Sequence, residues 1–475
     1  MGLRFAYFDS FLKQGAQAML RSDSIFLGMA VFVAGGTLAS GGTNEITYAR
    51  HVAPLLQKHC QDCHRPSQIA PMSLLTYEET RPWAESIREN VVGGIMPPWH
   101  ADPRYGSFAN DRRLTKEEID TIVAWVDAGA PRGDLSDLPP PREFAEGWAI
   151  GKPDLVLTMQ EEYELGAEGP DQYIYFAIPT NFTEDRYIEA VEVQPGNRSI
   201  VHHVLAYVQP GGTGVLSRAN TDRYNEGLGV PMFFGEGHAI RVLPDAPVHD
   251  DACALPDGGS ALSMDMTSGR RRLLTGFAPG SRGDLWTEGL GKLVPAGSEI
   301  LFQVHYNRTG KVERDRSSIG FVFAKEPPQK VVEAYWVSNY YFRIPPGAAD
   351  HEVTGCYTFD KDVEILSYFP HMHFRGKDMM IRAIYPSGET EILFNVPGYD
   401  FSWQTTYLLN ERKWIPGGTK ILVTAHFDNS KGNSFNPDPA KTVRWGDPTY
   451  DEMMIGGIDY VVASPKATTE SPEIP

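Results

Sequence analysis

The rhythm of apolar and polar positions changes once along this chain. From residue 46 to about 134, apolar positions recur at helical spacing, and residues 49–58, 76–92 and 114–128 each read as a helix. The last opens on Thr115-Lys116-Glu117-Glu118, a capping box in which the Thr115 hydroxyl and the Glu118 carboxylate satisfy free amides at the helix start. It ends before Gly129, the expected C-cap. Leu138-Pro139-Pro140-Pro141 then reads as a stiff linker and a domain boundary. Beyond residue 150 the pattern becomes short β-prone runs, at 173–178, 188–193, 200–208, 299–305, 363–368 and 421–427, punctuated by Gly, Pro, Asn and Asp. Such texture predicts antiparallel sandwiches or jelly rolls, with room for two of them. The expected fold is therefore multidomain and mainly β. A small all-α domain at 46–134 and a linker at 135–150 precede two antiparallel β-sandwich domains at 151–335 and 336–463, and a polar tail covers 464–475.

Length supports several cores, since 475 residues exceed what one hydrophobic core serves. The formal charge of −18 excludes a nucleic-acid partner as the expectation, because phosphate binding needs a basic footprint. Arg4, Lys13 and Arg21 precede an apolar stretch at 25–34, and small residues follow at 37–40. That order predicts a secretory signal over 1–39, cleaved near Ala39, and an exported protein, periplasmic or extracellular. An uncleaved anchor is the alternative, but the apolar run is shorter than the ~20 residues that span a bilayer. No membrane association is expected after cleavage.

There are four cysteines. Cys60-Gln61-Asp62-Cys63-His64 matches the pattern that attaches a c-type haem: two thiols add to the porphyrin vinyl groups, and the adjacent imidazole ligates iron. A zinc ribbon would need a second C-x-x-C pair, which the chain lacks. A redox dithiol is the other reading. Met96, within Ile95-Met96-Pro97-Pro98-Trp99, is the expected distal ligand, with Met72 and His100 as alternatives. The segment resembles small single-haem cytochromes c, where such a methionine has that role. His59 reads as bystander surface. Cys253 and Cys356 remain, and a disulfide between them is expected in an oxidising compartment.

Five of the 13 histidines occupy three unusual settings. Val201-His202-His203-Val204 lies within an apolar run, Gln303-Val304-His305-Tyr306 ends another, and Pro370-His371-Met372-His373 ends a third. His371 and His373, two apart on a strand, face one side and can share an ion. His202 and His203 point apart on an ideal strand, so joint ligation requires a bulge or local twist there. Imidazole sets without carboxylates favour copper or zinc over non-haem iron. Asp451-Glu452 precede Met453-Met454, and a thioether ligand stabilises Cu(I). His51, His238, His249, His351 and His426 match no ligand motif and read as structural. Asn181, Asn197 and Asn307 head glycosylation triplets, a pattern that arises often by chance.

Taken in order, His202-His203, Gln-Val-His305-Tyr, His371-Met-His373 and Asp-Glu-Met453 resemble the copper type II ascorbate-dependent monooxygenases, the family of peptidylglycine α-hydroxylating and dopamine β-monooxygenases. The resemblance covers about residues 150–463. It implies two jelly-roll domains facing each other across a solvent-filled cleft, each with one copper ion. By it, His202, His203 and His305 hold an electron-supplying copper, and His371, His373 and Met453 hold an oxygen-activating copper, with Met454 as a fallback. Two positions depart from the family. The peptide-amidating member holds its substrate carboxylate with an arginine where this chain has Phe369 and a tyrosine where it has Gly457. A glycine-extended peptide is therefore not the expected substrate, and Phe369 points to something less polar.

The expected function is an exported monooxygenase with two copper ions and one covalently bound haem c, hydroxylating a C–H bond of a small organic substrate with dioxygen. Its electrons come from an external donor, an ascorbate-like reductant or a redox protein, and are expected to pass from the haem first to the three-histidine copper. The alternative is a non-catalytic haem and copper electron-transfer or copper-binding protein. A nitrite reductase is a third reading, disfavoured because no cysteine accompanies these histidines.

Overall fold

A computed structural model describes residues 45–463 apart from 67, 69, 145–146, 213–231, 235–238, 255–263, 266–271, 279–282 and 287–288. The expected signal, the polar tail and His238 lie outside the described residues. Contacts divide the chain into Met1–Glu45 and Ile46–Pro475, and the secondary-structure elements among the described residues belong to the second unit. That unit is mainly β with few helices.

The helical segment opens with a wide turn at Tyr48–Val52 that runs into the helix Ala53–His59. The expected helix at 76–92 is split. Thr76 and Glu79 form a capping box for Tyr77–Thr80, Pro82 tightens Arg81–Trp83 into a 3-10 turn, and Ala84–Val92 completes the run. Lys116–Asp127 carries the capping box read from Thr115 and Glu118. Val52, Leu56, Val91, Ile122 and Trp125 converge as its core. The linker lies along this segment, with Gln57 Nε2 donating to the Pro140 carbonyl and Arg142 Nη1 to the Gln57 carbonyl.

The β portion forms four principal sheets among the described residues. In the first pair, Ser318–Phe323 and Arg186–Gln194 are central to one sheet, and Gln172–Pro179, Ser298–Tyr306, Val201–Pro210 and Arg272–Phe277 make the other. Alternation decides which side chains fill the space between them: Ile300, Phe302 and Val304 join Val191, Val204 and Phe321 there. In the second pair, Tyr407–Ile415, Val363–His371, Ile455–Val462 and Glu333–Ser338 neighbour one another in order, and His351–Thr358, Lys420–Phe427, Gly376–Ile384 and Thr390–Val396 form the other sheet. Ile421, Val423, Ala425 and Phe427 alternate into that core. The chain crosses between pairs around Val332, since Lys330–Val331 pairs in the first set and Glu333–Ser338 in the second.

Cys253 and Cys356 form a disulfide, with α-carbons 5.3 Å apart, tying the turn Ala252–Ala254 to the strand His351–Thr358. The two β halves are in direct contact. Tyr175, Tyr207 and Leu301 of the first half are buried in the same cluster as the core of the second. Below them the Gln303 side-chain amide donates to Tyr175 Oη and to Asp447, and Tyr175 Oη donates to Asp447 as well. The cleft expected from the family resemblance is thus closed at this level by packed and hydrogen-bonded side chains. No helix among the described residues is long and apolar enough to cross a membrane.

Candidate metal and haem centres

His203 and His305 stand directly opposite each other on adjacent antiparallel strands. The ladder then slips, so that Tyr306 pairs with Val201 and His202 is the residue at the register shift. This irregularity is the bulge that joint ligation requires, and it turns both neighbouring histidines toward His305. His202 Nδ1 lies 3.2 Å from His203 Nδ1, and His203 Nδ1 lies 3.4 Å from His305 Nδ1. Ligands at a metal–nitrogen distance of about 2.0–2.1 Å in tetrahedral array stand about 3.3 Å apart, so the spacing fits one small cation. Among the described residues, these three form a group of His, Cys, Asp or Glu side chains able to hold a metal, their ligand atoms within 4.8 Å of one another. His305 is buried, stacks on Tyr173 with centroids 4.2 Å apart, and has Nε2 3.2 Å from the Asp171 carboxylate. Such an outer carboxylate orients a ligating imidazole.

The second set is built differently. His371 ends its strand opposite Ile455, and two residues later the His373 amide donates to Glu452 Oε2 at 2.7 Å. His373 Nδ1 donates to the Asp451 carbonyl at 3.1 Å, and His371 Nδ1 donates to Gln404 Oε1 at 2.9 Å. Both rings therefore keep Nε2 free as a ligand atom. Their centroids are 5.2 Å apart, and both residues are buried. Met453 follows the two residues that hold His373 and precedes by two the partner of His371, which places its backbone beside the pair. It is half-buried, whereas Met454 is fully buried and turns its methyl group toward Gly355 in the core. The Met454 side chain is thus committed to the core.

Glu452 and Arg375 brace this corner from below. The Arg375 amide donates to Glu452 Oε1, and the Arg375 guanidinium reaches Asn429 Oδ1 and the Tyr450 carbonyl. Burial pushes the Glu452 carboxyl up to about 8 against these donors. Burial, then His305 and His202, holds His203 well below the ordinary imidazole range. Burial likewise pulls His371 down to about 4 and, with His371 beside it, depresses His373 strongly. All three are neutral at pH 7, the form that binds metal.

Phe401 joins the two sets. Its ring stacks on His202 at 5.5 Å and meets His373 edge-on at 5.8 Å. The two groups of histidines thus approach within the width of one aromatic ring and its contacts.

At the cysteine motif, Cys63 and His64 amides both donate to the Cys60 carbonyl, winding the three residues into one turn after the helix Ala53–His59. Neither Cys60 nor Cys63 is in a disulfide, while the chain's other two cysteines are bonded to each other. Burial pushes Cys60 up to about 12, with Cys63 adding to the effect, the reverse of the lowered thiol a redox dithiol uses. His64 Nδ1 donates to the Met72 carbonyl at 3.3 Å, so Nε2 is the ring atom that would hold an iron. Met96 is half-buried in a cis Met96–Pro97 turn. The residues fit a covalently attached haem. His59 is not bystander surface: its side chain is 7% exposed and Nε2 lies 3.1 Å from Glu118.

Sequence reasoning did not single out Asp171, Gln404, Phe401 or Arg375. None carries a local pattern, and each meets the histidines only through strand pairing or loop packing. His351 and His426 pair with Asp250 and Asp378, as structural residues would.

No known protein family description matches the chain, and no characterised protein matches it in sequence. Among solved structures, one of PNGF-II is 6% identical with a TM-score of 0.29, covering 65% of each chain. The infectious bursal disease virus VP2 subviral particle is 9% identical with a TM-score of 0.18, covering 66% of this chain and 72% of that one. This chain thus spans about 65% of the length of PNGF-II.

Proposed function

We propose that the protein is a monooxygenase that hydroxylates a C–H bond of a small, weakly polar organic molecule, using two copper ions and one covalent haem c. The reading joins a cytochrome c-like domain at 46–134 to two β-sandwich domains of the copper type II monooxygenase kind, in an exported protein. The observation that carries it is the meeting of two unlike histidine sets, three imidazoles in one and two in the other, both in contact with Phe401. Mere copper carriage needs no such pair.

When bound, the groups supply one-electron storage and the activation of dioxygen. The chain's own residues do the rest. Asp171 orients His305, while Gln404 and the Asp451 carbonyl fix the His371 and His373 tautomers, so that each ring presents a lone pair without rearrangement. Phe369 stacks near His371 with centroids 6.0 Å apart and lines the approach with an apolar face. Arg375 is committed to Glu452, Asn429 and Tyr450, so it does not replace the missing carboxylate contact. A neutral aromatic or aliphatic substrate follows from these surroundings.

The test is turnover of copper- and haem-loaded protein under isotopically labelled dioxygen with an ascorbate-like reductant and a panel of neutral aromatic substrates. One labelled oxygen atom in a hydroxylated product supports the reading. Reduction of dioxygen at a rate indifferent to every substrate, with no labelled product, contradicts it and favours an electron-transfer role.

A further inference from the structure

The haem-attachment segment does not end at its own helices. Residues 99–110 leave it and cap the exposed edge of the sheet that carries His371. Phe108 bridges to Leu409, the Ala109 amide donates to the Leu408 carbonyl, and the Asn410 amide donates to the Ser107 carbonyl. Asn110 adds a bond in each direction, from its side chain to the Thr406 carbonyl and from the Leu408 amide to its side chain. Farther along, the Asp102 amide donates to the Asn395 carbonyl, and the Asn395 side chain returns a bond to Asp102. The edge strand Tyr407–Ile415 is thereby closed by a piece of the haem segment rather than left open.

At the centre of this contact is Trp99, three residues after Met96. It is 8% exposed and meets Tyr407 at 4.8 Å between ring centroids and Phe108 at 5.8 Å. Tyr407 is buried, pairs across the strands with Tyr368, and accepts a hydrogen bond at its hydroxyl from the His100 backbone amide. Three residues before Tyr407 is Gln404, which holds His371 Nδ1 at 2.9 Å. The same loop supplies Phe401, in contact with both His373 and His202. One short stretch of chain therefore touches the haem segment at one end and both histidine sets at the other.

We propose that Trp99 and Tyr407 form the electron entry of this protein, delivering electrons from the haem to the centre of His371 and His373 first, with Phe401 passing the second electron onward to the three-histidine centre. The inference rests on the monooxygenase reading, and it reverses the order of delivery expected from sequence. Each step moves one electron: ferrous haem iron becomes ferric and a cupric ion becomes cuprous. An external one-electron reductant of the ascorbate class restores the haem. No proton travels with it, because the Trp99 indole N–H has no hydrogen-bond partner among the described residues and the ring acts as a bridge that is not itself oxidised. Trp99 and Tyr407 are positioning residues; neither touches the reacting atoms.

The experiment uses full-length protein loaded with haem and cupric ions, without dioxygen. The haem is reduced by a light flash, and its re-oxidation is followed by absorbance while cupric loss is followed by electron paramagnetic resonance. Trp99→Leu is expected to slow re-oxidation about tenfold, about 1.4 kcal/mol at the barrier. Trp99→Phe, which keeps an aromatic ring in the packing, is expected to fall between. The haem-to-copper distance from dipolar coupling should stay unchanged in both, separating relay from docking. His373→Ala should abolish the fast phase, and His202→Ala should retain it with a smaller amplitude. An unchanged rate in Trp99→Leu, or a fast phase lost in His202→Ala and kept in His373→Ala, overturns the entry route alone. Failure of the wild type to bind haem and two copper ions overturns the monooxygenase reading beneath it.

Discussion

Gly457 stands directly opposite Phe369 across the sheet, and a β-carbon on it would lie 3.1 Å from the Phe369 side chain. These are the two positions at which the chain departs from the peptide-amidating pattern, and they prove to be neighbours. The close contacts are the Phe369 β-carbon and carbonyl oxygen, with one ring atom at 3.4 Å, so the glycine is what allows the two strands to approach here. The replaced contacts share one patch of wall beside His371.

Gly457→Ala should therefore destabilise the protein by about 1–3 kcal/mol, through crowding in a packed site. Adding Phe369→Ala should recover only a minor part of that loss, because it removes the ring atom at 3.4 Å and keeps the β-carbon and carbonyl oxygen at 3.1 Å. A double-mutant cycle in thermal or denaturant unfolding measures the coupling. Simple additivity of the two changes would show that the side chains do not compete for the same space.

Glu118 predicts how stability responds to acid. Burial pulls its carboxyl upward, but the Thr115 amide, Lys58 and His59 outweigh this and hold it at about 2, below its ordinary 4.5. A carboxyl depressed on folding contributes stability that is present above 4.5 and is lost as pH falls through about 2. Glu118→Gln should cost about 1–3 kcal/mol at pH 7. The difference from wild type should shrink steadily between those two pH values and vanish below the lower one, read from urea unfolding across the range.

The disulfide closes a loop with a sequence separation of 103. Chain entropy in the unfolded state assigns such a crosslink about 4–5 kcal/mol, an upper figure that other terms reduce. Replacing Cys253 and Cys356 by Ser should lower the unfolding midpoint, and reductant should lower that of the wild type but not of the double variant.

Much of this arrangement was readable from residue order. The Thr115–Glu118 capping box sits where the pattern placed it, and the alternation at 421–427 marks the buried face of its strand. Even the bulge was implied, because His202 and His203 cannot both face His305 on a regular strand. What stayed hidden depends on contacts between distant segments. Asp171 and Gln404 are ordinary polar residues until sheet pairing brings them to His305 and His371. The same holds for His59, whose burial depends on a helix distant in sequence, where Glu118 meets it. Trp99 resembles a core residue of its own segment, yet it packs against Tyr407 on the far half of the chain.

The central claim is that two chemically different copper centres exist, one of them with a methionine sulfur. X-ray absorption at the copper edge of the reduced protein, loaded to two ions per chain, addresses it directly. The account predicts a sulfur neighbour in the wild type that disappears in Met453→Leu and persists in Met454→Leu. A wild-type spectrum with nitrogen and oxygen neighbours alone, or a sulfur signal that survives in Met453→Leu, would contradict it.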